Sequence, residues 1–116
     1  SRSTEEASGT PRYMAPEQFM GKWRDYGPGT DLYAVGIMAY QLASGELPFK
    51  GATFMMLAMA HINTAMPELT PRIAVPEGFG EWIRRMTMKK PGDRFQSAAD
   101  AVWALSVFSS KAPLAR

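Results

Sequence analysis

The chain has 116 residues, 46% of them apolar and 21% charged, which suits one domain, or a large piece of one, with a core of its own. A net charge of +2 is too weak to argue for nucleic acid, which usually needs a clustered basic stripe. The lack of Cys excludes a disulfide frame and a thiolate metal site and fits a reducing cytosol, and the polar start SRSTEEASGT has no signal-peptide core.

In chain order, residues 1–8 are small, polar and charged and read as a loop. Pro16 suits the first turn of a short helix from Ala15 towards Met20. GKWRDYGPGT, with its glycines and proline, marks a second loop. TDLYAVGIMAYQLASG predicts the central helix: Thr30 as N-cap, Asp31 in the first turn where the dipole favours a carboxylate, and Ser44-Gly45 as the stop. Between Leu32 and Ala43 only Gln41 is clearly polar, so this helix is expected to be buried on every side. At roughly fourteen residues it is too short to cross a bilayer, which takes about twenty. Gly36 costs it roughly 1 kcal/mol relative to Ala unless a neighbour needs the close approach.

A third helix is expected over ATFMMLAMAHI, capped at or just before Thr53. Met55, Met56 and Met59 on it suit either core packing, the favoured role, or an adaptable docking surface. His61, set among Met and Ala, reads as structural or exposed rather than as a ligand or base. Pro67, Pro71 and Pro76 punctuate an irregular loop, with at most a residue or two of strand near Arg72 to Val75. EGFGEWIRRMTMKK places Phe79, Trp82, Ile83 and Met86 at helical spacing, with Arg84, Arg85, Lys89 and Lys90 on or near the other face, and Pro91 ends it. Those four charges read as a solvated face rather than a nucleic-acid contact, since no aromatic is interleaved. Ser97, with Asp100 three residues on, resembles a capping box for a last helix from Ala98 to about Phe108. Val102, Trp103, Leu105 and Phe108 are expected on its apolar side. The chain is therefore all-α, about five helices around a buried central one.

The order GTPRYMAPEQ, DLYAVG, GELPF, PGDRF resembles the C-terminal lobe of a serine/threonine protein kinase of the bacterial type. The resemblance covers about Thr4 to Leu105. It divides the chain into a distal activation loop and substrate loop (1–14), a helical lobe (15–108) and a tail (109–116). It implies that Glu17 pairs with Arg94, a planar fork matched to a carboxylate, and anchors the activation segment on the helical base. It implies that Asp31 holds the catalytic loop through backbone N–H groups, and that Thr10 supports the catalytic Asp. Gly9, Thr10, Pro11, Arg12, Tyr13 and Met14 would form the substrate pocket, favouring Ser/Thr over Tyr in a protein substrate. Thr4 is the foremost phosphorylation candidate, with Ser3 and Ser8 behind it.

No G-x-G-x-x-G, His-Arg-Asp or Asp-Phe-Gly occurs, nor any metal-ligand set. The chain alone is thus expected to be inactive, with no catalytic residue, metal or nucleotide of its own. ATP and Mg²⁺ belong to an intact, cytoplasmic parent, and the chain looks cut just upstream of its first motif. The other reading is a standalone, non-catalytic interaction module. Apolar surface including Met14, Phe19 and parts of the Leu32–Leu42 helix would then pair with itself or another chain. Neither reading gives this segment a nucleic-acid or membrane partner.

Overall fold

A computed structural model describes residues 11–111. All regular structure among them is helical: a 3₁₀ turn at Pro11–Tyr13, α1 (Pro16–Phe19), a 3₁₀ turn at Trp23–Asp25, α2 (Pro28–Ser44), α3 (Phe54–Asn63), α4 (Phe79–Met86), a 3₁₀ turn at Pro91–Asp93 and α5 (Ala98–Lys111). No strand forms near residues 72–75; instead the Arg72 N–H donates to the Ala43 carbonyl at the end of α2.

The 17-residue α2 is the axis. On one flank, Leu32 and Tyr40 pack with Trp82, Ile83 and Met86 of α4, with Phe95, and with Ala101 of α5. On another, Tyr33 and Ile37 pack with Ala15, Phe49 and Leu57, which brings in the α1 approach and α3. Gly36 explains the tightness of the first contact. A Cβ there would lie 2.6 Å from Thr87 Cγ2 and 2.7 Å from Met86 Cβ, so only glycine lets α2 and α4 cross this closely. Gly45, at φ +82°, stops α2 in the left-handed conformation and donates its N–H to the Gln41 carbonyl.

Several expectations from the sequence need correcting. The N-cap of α2 is Gly27, not Thr30; Pro28 opens the helix, and the Thr30 hydroxyl, one turn in, accepts the Gly27 N–H at 3.1 Å. Nor is α2 buried all round. Asp31, Val35, Met38 and Leu42 form a stripe at helical spacing that is open to solvent, Leu42 to 78%. The helices α3, α4 and α5 occupy only the other flanks. Met55, Met56 and Met59 of α3 also face outward, because α3 buries Leu57, Ala58 and His61 instead. On α5 the inward face is Ala101, Ala104, Leu105 and Phe108, which leaves Val102 and Trp103 exposed. A helix buries positions three and four apart, and residues 102 and 103 fall off that row.

The caps at Thr53 and Ser97 accept N–H groups from Met56 (3.1 Å) and Asp100 (3.0 Å) respectively. The helix α4 stops at Met86, short of the lysines, where the Thr87 hydroxyl donates back to the Ile83 carbonyl at 2.7 Å. That stop turns Lys89 inward, away from Arg84 and Arg85.

Candidate functional site

Glu17 and Arg94, 77 positions apart, meet in the interior. Glu17 is 1% and Arg94 0% exposed. Arg94 Nη1 donates to Glu17 Oε2 at 2.7 Å and Nη2 to Oε1 at 2.9 Å, the parallel two-bond fork that guanidinium and carboxylate planes allow. The other donors of Arg94 are also used. Nε reaches the Met88 carbonyl (2.7 Å), Nη1 the Gly29 carbonyl (3.0 Å) and Nη2 the Lys89 carbonyl (3.2 Å). All five N–H groups of the side chain therefore have acceptors. The guanidinium also lies over the Tyr33 ring, 4.9 Å from its centroid.

Glu17 has a third partner, the Thr30 hydroxyl, which donates to Oε2 at 2.7 Å. Burial pushes the Glu17 carboxyl up, but the hydrogen bonds from Arg94 and Thr30 outweigh it and hold the pKa below the usual value. The local structure explains the geometry. Pro16 starts α1 one residue before Glu17 and aims its side chain at the first turn of α2. The 3₁₀ turn at Pro91–Asp93 delivers Arg94 in extended backbone against the same turn.

Beside this anchor lies the second part of the site. The 3₁₀ turn at Pro11–Tyr13 packs against α2 and α3. Pro11 is buried, Arg12 exposed, and Tyr13 and Met14 half-buried; the Tyr13 hydroxyl donates to Gln41 Oε1 at 2.7 Å. Gln41, the lone polar residue in the apolar run of α2, is thus fixed by the turn. A cavity of about 910 Å³ opens here, lined by Pro11, Arg12, Gln41, Phe49, Phe54 and Leu57 among others. Across its mouth Lys50 and Glu46 form an exposed pair at 3.0 Å, and Lys50 draws the Glu46 pKa down. The volume falls within the range of small-ligand clefts, and the wall mixes apolar rings with the polar side chains of Arg12, Gln41, Glu46, Lys50 and Thr53.

Behind the turn is a buried cluster that the sequence did not single out. His61 is completely buried among the rings of Phe19, Tyr33 and Phe49, with centroids at 5.3, 5.6 and 4.9 Å. Its Nδ1 is 2.7 Å from the Tyr33 hydroxyl. Lys89 Nζ donates to the His61 carbonyl at 2.7 Å and sits 4.2 Å from the Phe49 ring centroid. Burial, with Lys89 beside it, pushes the imidazole down to about 4, although the Arg12 backbone acts the other way. Burial and the Arg94 charge bring Lys89 down to about 8. Burial raises the Tyr33 hydroxyl. No local sequence signal marks this cluster. Tyr33 and His61 are 28 positions apart, and either would be ordinary on an apolar helix face.

Of the residues singled out from the sequence, Ser3, Thr4, Ser8, Gly9 and Thr10 lie outside the described residues. Pro11 and Arg12 line the cavity, Tyr13 bonds Gln41 in its wall, and Met14 is half-buried but does not line it. Asp31 is exposed at the start of the open stripe on α2. Among the described residues no group of three or more His, Cys, Asp or Glu could hold a metal ion, and no helix is long and apolar enough to cross a membrane.

Residues 1–104 match the protein kinase domain model. The chain belongs to the protein kinase family. Its relatives include the serine/threonine-protein kinase PknA of Mycobacterium tuberculosis, 38% identical over 100 residues, a match that takes in 84% of this chain and 22% of that protein. Pkn1 of Myxococcus xanthus is 41% identical over 100 residues, covering 85% of this chain and 14% of that kinase. PksC of Streptomyces coelicolor is 39% identical over 92 residues, covering 78% and 16%. The chain thus spans no more than about a fifth of the length of these relatives. Within the kinase family, the helical chain accounts for part of the C-terminal lobe.

Proposed function

We propose that this chain is the substrate-side part of a serine/threonine kinase that moves the γ-phosphoryl group of ATP to a Ser or Thr hydroxyl of a protein. Residues 1–14 would be the distal activation loop and substrate loop, 15–108 the helical lobe and 109–116 a tail. The observation that carries this reading is the buried Glu17–Arg94 fork, because it pins the chain from Pro11 to Glu17 beside a cleft. A loop that must present a flexible peptide to a reacting centre needs such a fixed base, since a small misplacement costs orders of magnitude in rate.

On this reading Gly9, Thr10, Pro11, Arg12, Tyr13 and Met14 receive the substrate segment, and Thr4, with Ser3 and Ser8 behind it, is the phosphorylation site that orders the loop. Asp31 holds the catalytic loop of an upstream segment, and the apolar stripe Val35, Met38 and Leu42 is where that segment seats. ATP and Mg²⁺ supply the phosphoryl donor and its charge neutralisation in that segment. The 116 residues alone bind neither and are inactive, and the working enzyme is cytoplasmic.

The test is phosphorylation of a Ser/Thr peptide by the chain alone and by a longer chain that adds the ATP-binding and catalytic-loop segments. Transfer by the longer chain only is the expected result. Transfer by neither removes the reading, and transfer by the 116 residues alone removes the assignment of inactivity. The open stripe on α2 also favours the second reading, a non-catalytic module that pairs with itself or another protein. A concentration-dependent dimer that Leu42→Asp abolishes, together with a catalytically dead full-length protein, would put that reading first.

A further inference from the structure

His61 is the buried side chain whose hydrogen bonding is incomplete: among the described residues, its Nε2 is the buried side-chain nitrogen or oxygen left without a partner. A buried donor or acceptor left unmade carries the full desolvation penalty, so its surroundings need an account. The ring is held from three directions. The Tyr33 hydroxyl of α2 meets Nδ1, the rings of Phe19 and Phe49 clamp its faces and edge, and Lys89 fixes its own backbone carbonyl. The Pro11–Tyr13 turn packs on α3, and the Arg12 backbone lies close enough to favour a proton on the imidazole.

This arrangement selects a tautomer. Were Nδ1 to carry the proton, the Nε2 lone pair would face a carbonyl oxygen, acceptor against acceptor, and the Tyr33 hydroxyl proton would lose its partner. With Tyr33 donating to Nδ1, the proton sits on Nε2 and points at an acceptor. In this structure Nε2 has no hydrogen-bond partner, and the turn that carries the Arg12 carbonyl packs on the same helix as His61.

We propose that His61 is a positioning residue for the substrate loop: through Nε2–H it holds the Arg12 carbonyl, and with it the Pro11–Met14 segment, against α3 when a peptide occupies the adjoining cleft. The cleft shares Pro11, Arg12 and Leu57 with this contact, so a peptide seated in it presses on the same turn. His61 touches no reacting atom. It acts through the loop, and its role in catalysis rests on the kinase reading above, whereas its bond to the turn does not.

Two amides separate the roles. His61→Asn places an amide oxygen where Nδ1 was and keeps an acceptor for Tyr33, but it cannot reach Arg12. His61→Gln is longer and restores a donor near the Nε2 position. ¹⁵N NMR of the unsubstituted 116-residue chain at neutral pH should show Nε2 protonated and Nδ1 bare, a measurement that needs no variant to fold. In the full-length kinase, His61→Asn should raise KM for a Ser/Thr peptide about three- to tenfold at near-constant kcat, the scale of one hydrogen bond. His61→Gln should stay within about threefold of the parent on the same scale. A proton on Nδ1, an unchanged KM in His61→Asn, or equal losses in the two variants would overturn the proposal. A full-length protein that phosphorylates nothing would sink the kinase reading, while the NMR result would still decide whether Nε2 carries the proton that the contact needs.

Discussion

Arg94 and His61 are two completely buried polar side chains, joined through one tyrosine: the guanidinium lies over the Tyr33 ring, and the imidazole meets the Tyr33 hydroxyl. Arg94 spends every donor on an acceptor, two of them on a carboxylate that itself has a third partner in Thr30. His61 leaves one ring nitrogen unmatched. A saturated buried charge makes a fixed point, because any displacement strands several groups at once. A half-matched neutral ring has one fewer hydrogen bond to hold it. The molecule thus has a saturated anchor on one side of Tyr33 and an incompletely bonded ring on the other.

The contrast breaks most sharply at the anchor. Arg94→Met should destabilise the chain by about 3–5 kcal/mol, because Glu17 is left as an unpaired buried charge. Urea denaturation would read this. The double variant Glu17→Met/Arg94→Met should recover a good part of the loss, and equal instability of single and double variants would mean the charge was never the issue.

Acid probes the other side. The His61 pKa falls from 6.5 unfolded to about 4 folded, so the unfolded chain binds the extra proton between those values. Stability is therefore full above about pH 6.5 and declines as the pH drops towards 4, by about 3 kcal/mol in all. Denaturation midpoints at a series of pH values should show this slope, and His61→Phe should flatten it. Glu17 acts in a lower window. Its folded pKa lies below the ordinary 4.5, so the anchor's contribution is whole above that pH and is lost as the pH falls further.

Thr30→Val should cost about 2 kcal/mol, the scale of a hydrogen bond to a charged acceptor. In a Glu17→Gln background the cost should shrink, which a double-mutant cycle on denaturation free energies would measure. The smallest effect is expected on the open stripe. Leu42→Gln should change the stability of the chain by no more than about 0.5 kcal/mol, since a side chain already in water has little burial to lose. If that substitution instead collapsed the fold in a thermal scan, the stripe would not be free.

How much of this could be read beforehand differs by residue. The caps Thr53 and Ser97 and the glycine stop at Gly45 are local signals, and they sit where spacing puts them. The family was legible in four short motifs in order, and with it the reason to look at Glu17 and Arg94. Thr30 was legible as a helix-start hydroxyl, yet its partner is a carboxylate 13 positions away, which no local rule specifies. The open side of α2 was misread because a run of apolar residues reports what a helix could bury, not which flanks have neighbours. Val102 and Trp103 were misread for a related reason, since apolarity alone does not choose among rows of one helix.

What the sequence determined by itself is the set of helices, their order and the family they belong to, because capping, periodicity and short motifs act within a few residues. Only the tertiary structure decided that Arg94 would saturate its donors, that Lys89 would turn inward, that His61 would be buried against Tyr33, and that one flank of α2 would stay open. Those outcomes depend on hydrogen bonds and packing between segments far apart in the chain, whose distances and angles are set by how helices cross rather than by any single stretch of residues.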